Sequence, residues 1–214
     1  MGALTEHTPK PLLQVCGKPV LDHIVEALPP EIDELVLVVG YLEEQIRAHC
    51  GDSFYGKLVT YCVQSDYTAG TGDALLCAKD LLREKFLFMY ADDIHGADAL
   101  AKVVQEDHGM LAMYSDTPER FGVVMQNEDG TLKEIIEKPE HPESNLVNIS
   151  GFVLTEAIFS YYDQIEMRDD AYLVELLEVY AANHPVQVIE QDLWLPVGYP
   201  EHIAAAETIL CPKQ

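Results

Sequence analysis

Five consecutive apolar residues, Leu35–Val39 (LVLVV), end abruptly at Gly40. A short run of this kind, rich in β-branched residues and closed by glycine, reads as a strand buried on both faces. Such strands belong to parallel sheets covered by helices. The next segments repeat the theme. Tyr41–His49 has helical spacing of Leu42, Ile46 and Arg47, and Leu58–Val63 reads as a strand. Asp73–Leu82 reads as a helix with Ala74, Leu75, Cys77, Ala78, Leu81 and Leu82 on its inner side. Phe86–Tyr90 (FLFMY) is another buried strand, Ala97–Gln105 a helix and Met110–Tyr114 a strand. This alternation predicts a doubly wound, Rossmann-like α/β sheet.

The pattern changes after Thr117. Gly122–Gln126 and Leu132–Glu137 read as strands joined through Asn127-Glu128-Asp129-Gly130, a hairpin turn signal. Val147–Leu154 is a further strand, followed by helices at Ala157–Tyr162 and Tyr172–Ala182. A strand at Val186–Glu190 and a helix at Glu201–Ile209 close the chain. No internal repeat, low-complexity segment or linker interrupts it, so one α/β domain with a small β lobe from the middle onward is expected. A sheet of this class needs a first strand, usually central. The chain opens instead in a polar, proline-containing loop, and nothing before Leu12 can serve as that strand.

Charge narrows the function. Lys and Arg number 13 against 37 Asp and Glu, for a formal net charge of −24. That excludes a free-standing nucleic-acid binder and a ligand of anionic membranes. An acidic protein that handles phosphates must place its few cations well or recruit a divalent metal. The five cysteines (Cys16, Cys50, Cys62, Cys77, Cys211) form no CxxC pair and several sit in apolar runs. They read as reduced core residues of a cytoplasmic protein. The opening residues have neither the basic nor the apolar region of a signal peptide, and no apolar run reaches the length of a membrane span.

Several short motifs carry chemistry. In Thr8-Pro9-Lys10-Pro11-Leu12-Leu13 two prolines stiffen the chain around one lysine and exclude a helix. A lysine held at the lip of an α/β sheet is a point charge for phosphate, although alone it is as well explained by a soluble loop. Gln64 precedes Gly70-Thr71-Gly72-Asp73-Ala74, whose glycines permit close approach of backbone to a flat base, or form a plain turn with Thr71 as N-cap. Asp92-Asp93 follows the strand FLFMY, at the carboxyl end where α/β sheets bind ligands and where a carboxylate can hold Mg²⁺ between phosphates. Nearby His95 is a loop residue on this reading, since Mg²⁺ prefers oxygen. Phe121-Gly122-Val123-Val124 and Glu137-Lys138-Pro139 offer a glycine for close approach, a carboxylate for two hydroxyls and a lysine for a phosphate.

Together these motifs resemble those of the sugar-phosphate nucleotidyltransferases, the glucose-1-phosphate uridylyl- and thymidylyltransferase superfamily. Its signature reads G-x-G-T-R-[LM]-x-x-L-T-x-x-x-P-K-P-L, and Met1–Leu12 matches from the [LM] position onward. The similarity then spans nearly the whole chain. It implies a GT-A-like mixed sheet with a β substrate lobe, a nucleotide-binding half at 1–117 and a sugar-phosphate-binding half at 118–214. It implies that Lys10 lies by the triphosphate, that Gln64, Gly70 and Thr71 line the nucleobase pocket, and that Asp92 binds Mg²⁺. It further implies that Gly122, Glu137 and Lys138 hold the sugar phosphate. Asn148-Ile149-Ser150-Gly151-Phe152 resembles the strand N-x-G-[IV]-Y, one residue longer, so Asn148 and Ser150 compete for a sugar contact.

The reaction implied is direct displacement between a nucleoside triphosphate, UTP or dTTP, and a sugar 1-phosphate, favouring glucose 1-phosphate. The alternatives are a catalytically impaired regulator that binds sugar nucleotides, and an enzyme on another phosphorylated acceptor. In Trp194-Leu195-Pro196-Val197-Gly198-Tyr199-Pro200 the family pattern W-x-D-[IV]-G-[TN]-P is met except that Pro196 replaces the aspartate of the second metal contact. Neither base nor sugar is fixed, and a homo-oligomer is left open. Met1 falls one position after the signature arginine, so a late gene start is expected. Sequencing upstream should show in-frame codons for a strand followed by G-x-G-T-R; a stop codon directly upstream would sink this.

Overall fold

The computed structural model describes residues 2–66, 68–165 and 172–212. Two minimal strands, β1 (Gln14–Val15) and β2 (Lys18–Pro19), lead into helix α1 (Val20–Ala27). Then come β3 (Glu34–Val39), α2 (Glu43–Cys50), β4 (Ser53–Phe54), β5 (Lys57–Val63) and α3 (Thr71–Cys77). The middle holds β6 (Lys85–Phe88), β7 (Asp93–His95), α4 (Ala97–Val103) and β8 (Gly109–Tyr114). The second half holds β9 (Gly122–Gln126), β10 (Leu132–Glu137), β11 (Leu146–Thr155), α5 (Tyr172–Ala181), β12 (Gln187–Glu190), β13 (Trp194–Pro196) and α6 (Pro200–Leu210).

The α/β expectation holds, with a sheet in separate parts. One part is ordered β3-β5-β4, with β3 and β5 parallel. The larger part is ordered β10-β9-β11-β8-β12, with β6 added to β11. The expected hairpin forms as β9 and β10, which pair antiparallel and continue the larger sheet. Strand β11 organises that sheet: Leu146–Val153 run beside β8, Val147 pairs with Val123 of β9, and Phe152–Thr155 pair with β6. Its register against β8 breaks between Asn148 and Phe152, where Ser150 and Gly151 take left-handed φ of 65° and 90°. A bulge at this point aims neighbouring side chains in new directions.

Among the described residues no strand pairs with the outer edge of β3 or the free edge of β6. A cleft of about 840 Å³ separates them, lined by Leu35–Val39 and by Phe86–Tyr90. The expectation of a strand buried on both faces is therefore only partly met: Leu35 and Val39 are buried, but Val36, Leu37 and Val38 are half-exposed to the cleft.

Helix α1 was not read from the sequence, although its signals are legible. Val20, Leu21, Ile24 and Val25 are its buried residues, one face at helical spacing, and Pro29-Pro30 stop it. Other boundaries shift. The helix expected at Asp73–Leu82 begins at Thr71 and ends at Cys77, and the strand expected to Tyr90 stops at Phe88. Ala157–Tyr162 lies in a 3₁₀ helix, Glu156–Gln164. The prolines around Lys10 exclude an α-helix but permit one 3₁₀ turn, Lys10–Leu12, because Pro11 sits in its first turn, where no N–H bond is needed.

The cysteine reading is corrected. Disulfides join Cys16 to Cys211 and Cys62 to Cys77, and Cys50 is free and buried. Sequence gave no sign, because the partners are 195 and 15 positions apart and meet only through the fold.

Phe152 at 1% exposure is packed in the core beneath β11 and stacks on Phe88 with centroids 6.4 Å apart. Phe88 is only half-buried beside the cleft. Phe152→Ala should lower unfolding free energy by about 3–5 kcal/mol, and Phe88→Ala by clearly less, in urea denaturation. Equal losses would contradict the half-open packing of β6.

Candidate active site

The carboxyl ends of the strands carry the site. Lys10 and Asp92, 82 positions apart, form an ion pair of 2.8 Å between Nζ and Oδ2, both half-buried and both lining the cleft. The 3₁₀ turn after buried Pro9 fixes the lysine. Asp92 is fixed by its backbone: its carbonyl accepts a 2.8 Å bond from the N–H of Val197, beside the pairing of β13 with β7. Pro196 lies opposite Asp93 in that pairing. Trp194 packs edge-on against Phe121 with centroids 5.4 Å apart, so the stretch braces Asp92 by packing.

Asp93 and Asp92 diverge. Asp93 is buried and accepts a 2.8 Å bond from the Ser150 hydroxyl. Burial, aided by the charge of Asp92, pushes its carboxyl up to about 7, with the Ser150 hydroxyl opposing. His95 is no loop residue: it lies in β7 at 2% exposure. Its Nε2 is 3.3 Å from Ser150 Oγ and its Nδ1 is 2.7 Å from Gln191 Nε2. Burial lowers its pKa to about 4, so the imidazole is neutral, accepting from the Gln191 amide. The sequence reading named Asp93 only beside Asp92 and His95 only as a loop residue, and it missed Gln191, because a buried network has no local motif.

On the nucleotide side, the Gln64 N–H donates to the Val39 carbonyl at 2.8 Å, placing Gln64 at the carboxyl ends of β3 and β5. Its Nε2 donates to the Gly70 carbonyl (3.1 Å) and to Asp73 Oδ2 (2.9 Å), closing the intervening loop. Gly70, at φ 86° and ψ −179°, occupies backbone space open essentially to glycine alone. Gly70, not Thr71, occupies the N-cap of α3, and the Thr71 side chain bonds to the Tyr90 hydroxyl instead.

On the other side, Gly122 is buried, and a Cβ there would lie 2.9 Å from Glu137 Oε2 and 3.7 Å from Asn148 Cβ. Gly122, Glu137 and Asn148 thus converge. Lys138 pairs with Glu137 at 3.3 Å while its side chain stays largely in solvent. The Ser150 hydroxyl points elsewhere, to Asp93. The two sides are close: Glu137, Asp92 and Asp93 all act electrostatically on Tyr90, whose hydroxyl burial moves to higher pKa. Among the described residues no three His, Cys, Asp or Glu side chains form a metal cage.

A mixed sheet with a lysine–aspartate pair lining a cleft beyond the carboxyl end of a strand has the ligand-binding layout of an α/β protein. The chain belongs to the nucleotidyl transferase family, whose profile matches residues 2–211. It is 35% identical to UTP–glucose-1-phosphate uridylyltransferase AglF of Haloferax volcanii, over 95% of this chain and 88% of that protein. It is 31% identical to the bifunctional protein GlmU of Methanocaldococcus jannaschii over 98% of this chain, spanning about half (51%) of that relative's length. In fold it resembles a crystal structure described as a glucose-1-phosphate thymidylyltransferase from Bacillus anthracis with bound sucrose. The TM-score is 0.88 and identity 22%, covering 100% of this chain and 91% of that one. The chain is a nucleotidyltransferase, and no helix among the described residues is long and apolar enough to cross a membrane.

His95 gives a pH signature. Unfolded, its imidazole takes a proton near 6.5; folded, only near 4. Between those values the unfolded chain holds the extra proton on this group, so the His95 contribution to stability falls as pH falls, while the raised carboxyl of Asp93 contributes with the opposite sign. Relative to the unsubstituted protein, His95→Gln should gain unfolding free energy as pH drops from 6.5 to 4, by up to about 1.4 kcal/mol per pH unit. Urea denaturation across that range measures it.

Proposed function

We propose that the chain joins UTP or dTTP to a sugar 1-phosphate, glucose 1-phosphate favoured, giving a nucleoside diphosphate sugar and pyrophosphate. The observation that carries this is the Lys10–Asp92 pair, which lines the cleft and whose aspartate, together with Glu137, lies within electrostatic reach of Tyr90. The name of AglF supports UTP and glucose 1-phosphate.

An oxygen of the sugar 1-phosphate attacks the α-phosphorus of the triphosphate, the α–β bridging bond breaks and pyrophosphate departs with the electron pair. Such chemistry rests on alignment and on neutralising charge. Gln64, Gly70 and Thr71 line the base. Lys10 is the cation within reach of the triphosphate. Glu137 accepts from sugar hydroxyls over Gly122, Asn148 adds a polar contact, and Lys138 swings from Glu137 to the sugar phosphate. With Ser150 committed to Asp93, its part is to hold that strand, and the sugar contact falls to Asn148. Asp92 would hold Mg²⁺, which neutralises phosphate charge when bound with the triphosphate. A single carboxylate suits that ion, which usually keeps waters and substrate phosphates as its other ligands.

Pro196 offers no carboxylate and motivates the other reading, a regulator that binds sugar nucleotides without turnover. The purified protein with Mg²⁺, UTP or dTTP and glucose 1-phosphate should release pyrophosphate. Asp92→Asn should lower kcat by about 100-fold or more, and Glu137→Gln should raise KM for the sugar phosphate about tenfold with little change for the triphosphate. Tight binding of a sugar nucleotide without pyrophosphate release from any triphosphate would favour the regulator.

A further inference from the structure

The Cys62–Cys77 disulfide spans the two stems of the segment that carries the nucleobase residues. Cys62 lies in β5, two residues before Gln64, and Cys77 ends α3, the helix that Gly70 and Thr71 open. Their Cα atoms are 6.6 Å apart. The bond closes a ring of chain holding Gln64, Gly70 and Thr71. The hydrogen bonds of Gln64 to Gly70 and Asp73 also cross that ring, while Leu75 and the bond from the Tyr162 hydroxyl to the Gly72 carbonyl anchor α3 to the core.

Both cysteines are half-exposed, so a small thiol or disulfide reaches them. With the bond closed, Cys62 Sγ is 3.0 Å from the Cys77 carbonyl oxygen and Cys77 Sγ is 3.4 Å from that of Val63, so a carbonyl acceptor stands near each sulfur. The other cysteines differ. Cys50 is buried, its thiol pushed up to about 11 by burial, and Cys16–Cys211 ties the start of the fold to α6, carrying no nucleotide residue on its own elements.

We propose that Cys62 and Cys77 are a thiol–disulfide modification site that sets the affinity of the nucleotide pocket. The idea rests on the nucleotide-binding reading of Gln64, Gly70 and Thr71. A low-molecular-weight disulfide is the oxidant: one cysteine thiolate attacks it and expels one thiolate, and the second cysteine resolves the mixed disulfide and expels the other. Two protein thiols lose two electrons and two protons, and the small disulfide becomes two thiols. A dithiol reverses the exchange. The closed ring has less freedom to lose when a base docks, and so binds more tightly.

UTP with Mg²⁺ is titrated calorimetrically into protein held in oxidised glutathione or dithiothreitol, with the state of each cysteine read by mass spectrometry. Reduction should raise Kd three- to tenfold. Cys16→Ser should keep that response, while Cys62→Ser and, independently, Cys77→Ser should bind like the reduced protein in both buffers. Equal Kd in the two buffers, or a response that survives in Cys62→Ser and Cys77→Ser, overturns the switch alone. Absence of UTP and dTTP binding in both states overturns the nucleotide reading and the switch with it.

Discussion

The break in β11 is the constraint on which the rest depends. Three residues of strand, Ile149–Gly151, cannot pass the single Leu111 in regular register, so Ser150 and Gly151 turn left-handed and the chain re-pairs at Phe152. The bulge directs two functions at once. Before it, Asn148 lies beside Gly122, and its Oδ1 accepts a 3.1 Å bond from the Ser150 N–H. Within it, the Ser150 hydroxyl reaches Asp93 and lies beside His95. After it, Phe152–Thr155 bind β6, the strand that leads to Asp92. One distorted strand therefore fixes the Gly122–Glu137 side and the Asp92–Asp93 side relative to each other. Left-handed backbone at a non-glycine residue costs on the order of 1–3 kcal/mol and is often found where a site needs it.

Electrostatics sets the second constraint. In a chain of net charge −24, carboxylates crowd the site, and each is handled differently. Asp92 receives Lys10, Glu137 receives Lys138, and Asp93 forms no ion pair among the described residues, Lys10 acting on it only from beyond Asp92. Buried beside Asp92, Asp93 gives up acidity instead, and its carboxyl rises to about 7. The neighbouring imidazole of His95 stays neutral for the same reason, desolvation. This leaves Asp92 as the accessible carboxylate of the pair, at the cleft where a cation and phosphates would meet.

The family and most elements were legible in the chain. Short apolar runs bounded by turn signals marked β3, β5, β8, β9 and β10, and longer patterned runs marked both long helices of the second half, because such runs report what is buried. PKP, ADD and EKP marked Lys10, Asp92, Glu137 and Lys138, because short motifs at strand ends are local in sequence. What needed tertiary structure is non-local by nature. The disulfide partners, the pairing of β7 with β13 and the Asp93–Ser150–His95–Gln191 network join residues far apart in the chain, and no period or spacing encodes them. Likewise LVLVV announces a strand wanting cover on both faces, but only the packing decides that its middle residues face an open cleft. Sequence determined which segments would become strands and which charged motifs sit at their ends. The fold decided that Lys10 meets Asp92, that Ser150 serves Asp93 rather than the pocket, and that Cys62 meets Cys77, since each depends on how separate elements close in space.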